Sequence, residues 1–267
     1  MDKNIGKYKI VMVSICLNQP YWQYISPMIE SARKFLLKGH DVDFFVWTDM
    51  PEETNLGQGV KIFPTAPCDW PLPTLFRYHL FLQQEELLKQ FDYIFYCDAD
   101  MLFVSRVGNE ILGEGLTVAA HPMYALRPEY IHPYEPNSQS TAYIPSLGRV
   151  LENPKRFEPF YAAGGFQGGR TENFIQAMKI MKEGIDKDFA NNYIARWNDE
   201  SHWNRYLFDN PPSVFLSPSF VYPDSLNKAF YQKVWGRNYV PKLVTLTKPF
   251  SLSKDGGANL QHKLKNL

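Results

Sequence analysis

The chain has 267 residues, of which 45% are hydrophobic and 21% charged, a composition that excludes a disordered chain or a collagen-like repeat. Its 28 Lys and Arg balance 28 Asp and Glu, so no net field draws in nucleic acid or an anionic membrane, and a charged ligand must be met by a local patch. No apolar run reaches the roughly 18 residues of a membrane span, and Met1 to Tyr8 is polar, which predicts a soluble, cytoplasmic protein without signal peptide or anchor.

Tyr8 to Cys16 is a β-rich apolar run and predicts a central strand buried on both faces. Trp22 to Leu37 follows with apolar positions at helical spacing, Gly39 stops it, and Asp41 to Thr48 and Val60 to Phe63 read as strands, an α/β opening. The turn Leu17-Asn-Gln-Pro-Tyr21 lacks the GxGxxG that brings a pyrophosphate onto a helix N-terminus, which disfavours a dinucleotide-binding Rossmann unit. A helix is predicted over Thr74 to Gln90, then strands over Tyr93 to Cys97, Met101 to Val104 and Leu116 to Ala120. Tyr124 to Phe160 is rich in Pro, Tyr, Ser and Asn without periodicity, and reads as a long loop forming one wall of a substrate cleft. After a weak Tyr161-Ala-Ala-Gly segment and paired glycines to Gly169, helices are predicted from near Arg170 to Met181 and from about Asp188 to Phe208. The last stretch, Lys248 to Leu267, is polar and bears lysines, and no repeat or linker divides the chain.

The sharpest chemical signal is Asp98-Ala-Asp100, two carboxylates at the carboxyl end of an apolar strand, where ligands sit in open α/β sheets. With one small residue between them both can reach one hard divalent cation, Mn²⁺ or Mg²⁺, leaving coordination positions for phosphate oxygens. A solvated turn at a strand end is the alternative. Around Trp197-Asn-Asp199-Glu200, carboxylates stand among aromatic residues, and on a helix Trp197, Glu200 and Asn204 share one face. Such a face suits a sugar, rings stacking on the pyranose while the acid meets hydroxyls or the reacting carbon; a core helix with a paired Glu is the bland reading. Gly164 to Thr171 nearly spells a P-loop, but Arg170 stands where the lysine is required. The six histidines show no zinc spacing, no GxSxG elbow or kinase signature is present, and the three cysteines, Cys16, Cys68 and Cys97, read as buried free thiols in a reducing compartment.

Taken in order, Gly39-His40, Phe45-Val-Trp-Thr-Asp49, Trp70-Pro to Arg77, Asp98-Ala-Asp100, His121-Pro122, Ser140-Thr-Ala-Tyr-Ile-Pro145, Ala163 to Gly169, Trp197 to Ser201 and Leu216-Ser-Pro218 resemble glycosyltransferase family 6, which includes the blood-group A and B transferases. The resemblance runs from about Val11 to Lys254. It implies an α/β fold of the GT-A type, a single domain over residues 1–254 with a central mixed sheet flanked by helices and a polar tail over 255–267. It implies a retaining enzyme moving N-acetylgalactosamine or galactose from a UDP-sugar to O3 of a β-galactoside, fucosylated or not.

Carried over by position, the resemblance implies that Asp98 and Asp100 bind Mn²⁺ and the diphosphate. Tyr21, Trp70, Arg77, Asp98, Ala163, Gly164, Gly165, Asp199, Lys248 and Lys254 fall at donor-binding positions, and His121, Trp197 and Glu200 at acceptor-binding ones. Glu200 matches the catalytic acidic residue below the anomeric carbon, as nucleophile or electrostatic stabiliser. The small residues at Ala163 to Gly165 are read as room for an acetamido group, favouring UDP-N-acetylgalactosamine. Pro136-Asn137 replaces an Arg pair of the acceptor loop. A glycan-binding protein without catalysis and a nucleotide-diphosphate hydrolase remain rival readings, and nothing in the sequence gives the oligomeric state.

Overall fold

A computed structural model describes residues 6–50, 55–124, 134–145, 161–224 and 238–247. Strand β1 (Lys9–Cys16) lies in the interior of the sheet, paired in parallel with β2 (Asp41–Thr48) on one side and β4 (Tyr93–Cys97) on the other. Alternate side chains of β1 enter two separate cores. Ile10 and Met12 join the core that also holds Phe44, Phe95 and Phe103, while Val11 and Val13 join the one built on Phe45, Trp47, Phe81 and Trp203. That two-sided burial, read from an unbroken apolar run, is what a strand covered by helices on both faces requires.

Helix α1 (Gln19–Phe35) covers the first face with Tyr24, Ile25, Met28, Ile29 and Ala32, one stripe of a helix. It begins earlier than the periodicity indicates, because Pro20 sits in its first turn, where no backbone donor is needed. Beyond β2, β3 (Val60–Pro64) forms the sheet edge. The helix expected over Thr74 to Gln90 is instead three short ones, α2 (Leu72–Leu75), α3 (Arg77–Leu82) and α4 (Glu85–Leu88). Its apolar stripe survives in buried Leu75, Tyr78, Phe81 and Leu88, but the backbone leaves helical geometry at Phe76 and Gln84, and the Arg77 Nε takes the Thr74 carbonyl at 3.1 Å.

The sheet then continues through β7 (Ala162–Arg170), β6 (Leu116–Ala120) and β8 (Val214–Leu216), in the order β3-β2-β1-β4-β7-β6-β8. Strand β7 is antiparallel to both neighbours while the other pairings are parallel, giving the expected mixed sheet. The weak segment followed by a glycine turn is thus, in the structure, a nine-residue interior strand. Its glycines answer crowding: a Cβ on Gly168 would lie 2.2 Å from the Ile94 carbonyl oxygen. Side chains that signal a strand are missing because no side chain fits there.

Helix α5 (Thr171–Ala190) runs well past Met181, and α6 (Asp199–Asp209) starts at Asp199 rather than Asp188. The intervening turn uses left-handed backbone at Asn192 (φ 54°) and Asn198 (φ 51°), a conformation asparagine tolerates. Trp197 therefore precedes the helix and does not share a helical face with Glu200. A second sheet, in the order β5-β10-β9, joins β5 (Met101–Phe103), β10 (Leu243–Thr245) and β9 (Tyr222–Pro223). Cys16 and Cys97 are buried and unbonded as expected, with burial pushing the Cys16 thiol up to about 12, whereas Cys68 is only half-buried.

Candidate active site

The carboxyl ends of β1 and β4 and the incoming end of β7 meet at one place. Leaving β4, the chain turns at Asp98-Ala99-Asp100; the Asp98 amide donates to the Gly165 carbonyl at 2.9 Å, and the Asp100 carbonyl accepts from the Leu246 amide at 2.9 Å. The turn is thus held from both sides by backbone. A cavity of about 340 Å³ opens beside it, and its lining includes Tyr21, Trp70, Arg77, Tyr96, Asp98 and Asp100. Tyr21, Trp70, Arg77, Asp98 and Asp100, distant in sequence, are all donor-side positions named from the sequence.

Arg77 is the cation of that lining, 4% exposed. Its Nε lies 3.3 Å from Asp199 Oδ2 and its Nη1 3.8 Å from Asp98 Oδ1 and 3.2 Å from the Gly164 carbonyl oxygen, while its guanidinium stacks over the Tyr96 ring at 4.2 Å. Burial works against its charge, but the attraction of its neighbours, Asp199 first, outweighs that and raises its pKa above the ordinary arginine value. Asp199 is 3% exposed, and burial raises its pKa to about 6 although Arg77 pulls it down. The Tyr96 hydroxyl donates to Asp98.

Gly164 links this cluster to the second acid. Its amide donates to Glu200 Oε2 at 2.7 Å, and its carbonyl accepts from Arg77 and from Gln167 Nε2 at 2.9 Å. Gln167, fully buried, is held in turn by the Tyr78 hydroxyl at 3.1 Å. A Cβ on Gly164 would stand 3.3 Å from Glu200 Oε2, and one on Gly165 would stand 2.9 Å from Asp98 Oδ2. These glycines make room for the chain's own carboxylates, and Ala163 packs into the core.

Glu200 sits in the first turn of α6, and burial raises its pKa to about 7 against the pull of the Gly164 amide. The buried Tyr161 hydroxyl has no partner in hydrogen-bonding geometry, and after burial the charge of Glu200 raises its pKa most. Helix α6 is tied to β7 by Asn204, whose amide imitates a neighbouring strand: Oδ1 accepts from the Ala162 amide at 2.8 Å and Nδ2 donates to the Ala162 carbonyl at 2.9 Å. On the same side His121 donates its amide to the Tyr161 carbonyl at 2.8 Å, and its ring stacks on Tyr124 at 4.7 Å. Burial lowers the His121 pKa to about 4, so the ring is neutral near pH 7. Its Nδ1 accepts the Met123 amide at 3.1 Å, which puts the remaining proton on Nε2. Trp197 is 44% exposed, and its carbonyl accepts from the Glu200 amide at 3.0 Å.

Residues 7–242 match the family model described as Glycosyltransferase family 6. The chain belongs to glycosyltransferase family 6. It is 30% identical over 215 residues to human globoside alpha-1,3-N-acetylgalactosaminyltransferase 1, covering 76% of this chain and 58% of that protein. It is also 30% identical over 214 residues to rat histo-blood group ABO system transferase 1, covering 77% and 59%. A bacterial relative, the O-antigen biosynthesis glycosyltransferase WbnI of Escherichia coli, is 29% identical over 166 residues, covering 62% and 67%. The chain thus spans under two thirds of the length of the mammalian relatives.

Within this family 6 chain, Tyr21, Trp70, Arg77, Asp98 and Asp100 share one cavity, Asp199 backs Arg77, and Gly164 joins Arg77 to Glu200. Lys248 and Lys254 lie outside the described residues. Sequence reasoning did not find Tyr96, and it did not assign Gln167 to Gly164 or Asn204 to the Ala162 peptide. Tyr96 left one trace, its place in β4 two residues before Asp98.

Proposed function

We propose that this chain is a retaining α-1,3-glycosyltransferase that moves N-acetylgalactosamine, or galactose, from a UDP-sugar to O3 of a β-galactoside. The observation that supports it most is the Gly164 peptide, which carries Glu200 on its amide and Arg77 on its carbonyl, next to the Asp98 turn. It sets a carboxylate for a sugar carbon beside a charged pocket for a diphosphate. The activity for which the human relative is named supports N-acetylgalactosamine as first donor. Residues 1–254 serve as one catalytic unit, and no helix among the described residues is long and apolar enough to cross a membrane.

Asp98 and Asp100 line one cavity whose buried guanidinium is already paired with Asp199, and carboxylate oxygens in excess of the local positive charge suit a divalent cation. Asp98 and Asp100 would hold Mn²⁺, or another hard cation such as Mg²⁺, which when bound neutralises the departing diphosphate. Arg77, fixed by Asp199 and the Gly164 carbonyl, adds positive charge without having to reorganise. Tyr21 and Trp70 offer flat apolar surfaces to a base. Glu200 acts ionised: it attacks the anomeric carbon as the bond to UDP breaks and is then displaced by the acceptor O3, whose proton passes to the departed phosphate, or it stabilises an oxocarbenium-like transition state while the leaving phosphate takes the acceptor proton. The His121 Nε2–H donates to an acceptor hydroxyl, and the exposed ring of Trp197 takes the apolar face of the acceptor sugar.

UDP release by the purified protein from UDP-N-acetylgalactosamine and UDP-galactose, with and without a β-galactoside and with Mn²⁺ or EDTA, tests this reading. Acceptor-stimulated release that requires Mn²⁺ is expected. Equal release without acceptor would make the chain a hydrolase, and no release from either donor, with glycan binding intact, would make it a non-catalytic glycan binder.

A further inference from the structure

A buried acid outside the donor-pocket lining ties two parts of the chain together. Glu135 is 4% exposed, yet it is an acid in a segment, residues 134–145, that is otherwise turns. A carboxylate that deep is stable only if its oxygens are met by donors. They are. Oε1 accepts from the Asn137 amide at 2.8 Å and from the Tyr193 hydroxyl at 2.7 Å, and Oε2 accepts from the Arg196 amide at 2.6 Å. Two of these donors belong to the turn between α5 and α6, so one carboxylate joins that turn to the 134–145 segment.

The turn is the support of Trp197. Arg196 immediately precedes it, the Trp197 amide donates to Ser201 Oγ at 3.0 Å, and Asn198 follows with its left-handed backbone. Trp197 itself is too exposed to be held by packing, so its place is set by the backbone on either side. A second tie runs in parallel: Asp188 accepts from Ser140 Oγ at 2.5 Å and from the Thr141 amide at 2.8 Å. Asp188 fixes the end of α5, whereas Glu135 reaches the residue next to Trp197.

We infer that Glu135 is a positioning residue for glycan binding: through the Arg196 amide and the Tyr193 hydroxyl it holds the 193–197 turn so that Trp197 presents its ring to the acceptor. The inference rests on the proposed acceptor role of Trp197. It places acceptor affinity partly under the control of the 134–145 segment, without any contact between Glu135 and sugar. Charge-assisted hydrogen bonds to a buried acid are the strong kind, and losing one is worth about tenfold or more in an equilibrium.

The test is Glu135→Gln, which keeps the shape but gives one side an amide donor facing donors. Binding of a β-galactoside oligosaccharide is measured by calorimetry without donor, alongside UDP release and hydrogen exchange of the 193–198 amides. The expected result is glycan affinity, and acceptor KM, weakened about tenfold or more, faster exchange confined to that turn, and unchanged acceptor-independent release from the UDP-sugar. In a Trp197→Ala background, Glu135→Gln should weaken binding no further. Unchanged glycan affinity or unchanged exchange overturns the inference, as does a full additional loss in the Trp197→Ala background. If Glu135→Gln melts the whole fold, Tyr193→Phe, which removes one of the same hydrogen bonds, is read in its place, and unchanged affinity there is equally fatal. Absence of UDP-sugar turnover in the wild type, with glycan binding present, would instead refute the transferase reading and leave the role of Glu135 to the binding data. Wild-type protein that binds no glycan would refute both.

Discussion

Replacing Arg77 by methionine probes the charge balance on which the site is built. Asp199 holds its proton up to about pH 6 even beside the guanidinium, because burial outweighs the attraction. Unfolded aspartate titrates near pH 3.9. The folded state therefore binds this proton more tightly, and the stability tied to it falls by about 1.4 kcal/mol per pH unit as pH rises above the unfolded value. In the wild type the fall ends near pH 6. Without Arg77 the folded pKa is higher still, and the fall continues past pH 6. At pH 5 the substitution costs the hydrogen bonds to the Thr74 and Gly164 carbonyls, about 1 kcal/mol each. At pH 8 it costs about 2–3 kcal/mol more, which brings the total into the range of about 3–5 kcal/mol for breaking a buried pair from one side. Urea unfolding at the two pH values measures both terms, and Arg77→Met combined with Asp199→Asn should lose the pH-dependent part. Equal destabilisation by Arg77→Met at pH 5 and pH 8 would refute the ion pair as the organising contact.

Glu200, raised to about 7, is protonated below that pH, so kcat/KM should rise through an apparent pKa near 7 as the carboxylate forms. Glu200→Gln should lose the inflection and on the order of 100-fold or more in turnover while UDP still binds, and a flat profile in the wild type would remove Glu200 from the reaction. Gly165→Ala would put a methyl 2.9 Å from Asp98 Oδ2, so half-maximal activation should need roughly tenfold more Mn²⁺. A Mn²⁺ titration of UDP release, unchanged by the substitution, would show that this oxygen does not serve the metal.

Strands β1, β2 and β4 were legible because sheets covered on both faces leave unbroken apolar runs. Strand β7 was not, since the crowding that demands Gly168 erases the side chains by which a strand is recognised. The break between α5 and α6 is equally silent: it is made by Asn192 and Asn198, polar residues that also suit the outer face of a helix. In the site, Asp98 and Asp100 announced themselves by standing two apart at a strand end. Asp199 and Glu200 stood out as carboxylates among aromatic residues, but the contacts that join them to Arg77 and Gly164 could not be read, because they cross long stretches of chain. Asn204 shows the limit: mid-helix, it gives no hint that its amide acts as a strand for Ala162.

The hydrogen bond from the Leu246 amide to the Asp100 carbonyl has a consequence for synthesis. Strand β10 pairs antiparallel with β5, the strand that immediately follows the two aspartates, with Thr245 opposite Met101. A ribosome making this chain emits the aspartates well before their backing strand. A nascent chain stopped before β10 would contain every strand of the large sheet, while the aspartate turn would lack its backing strand. The part of the site closest to the diphosphate chemistry is thus braced late, after the frame around it has had time to fold.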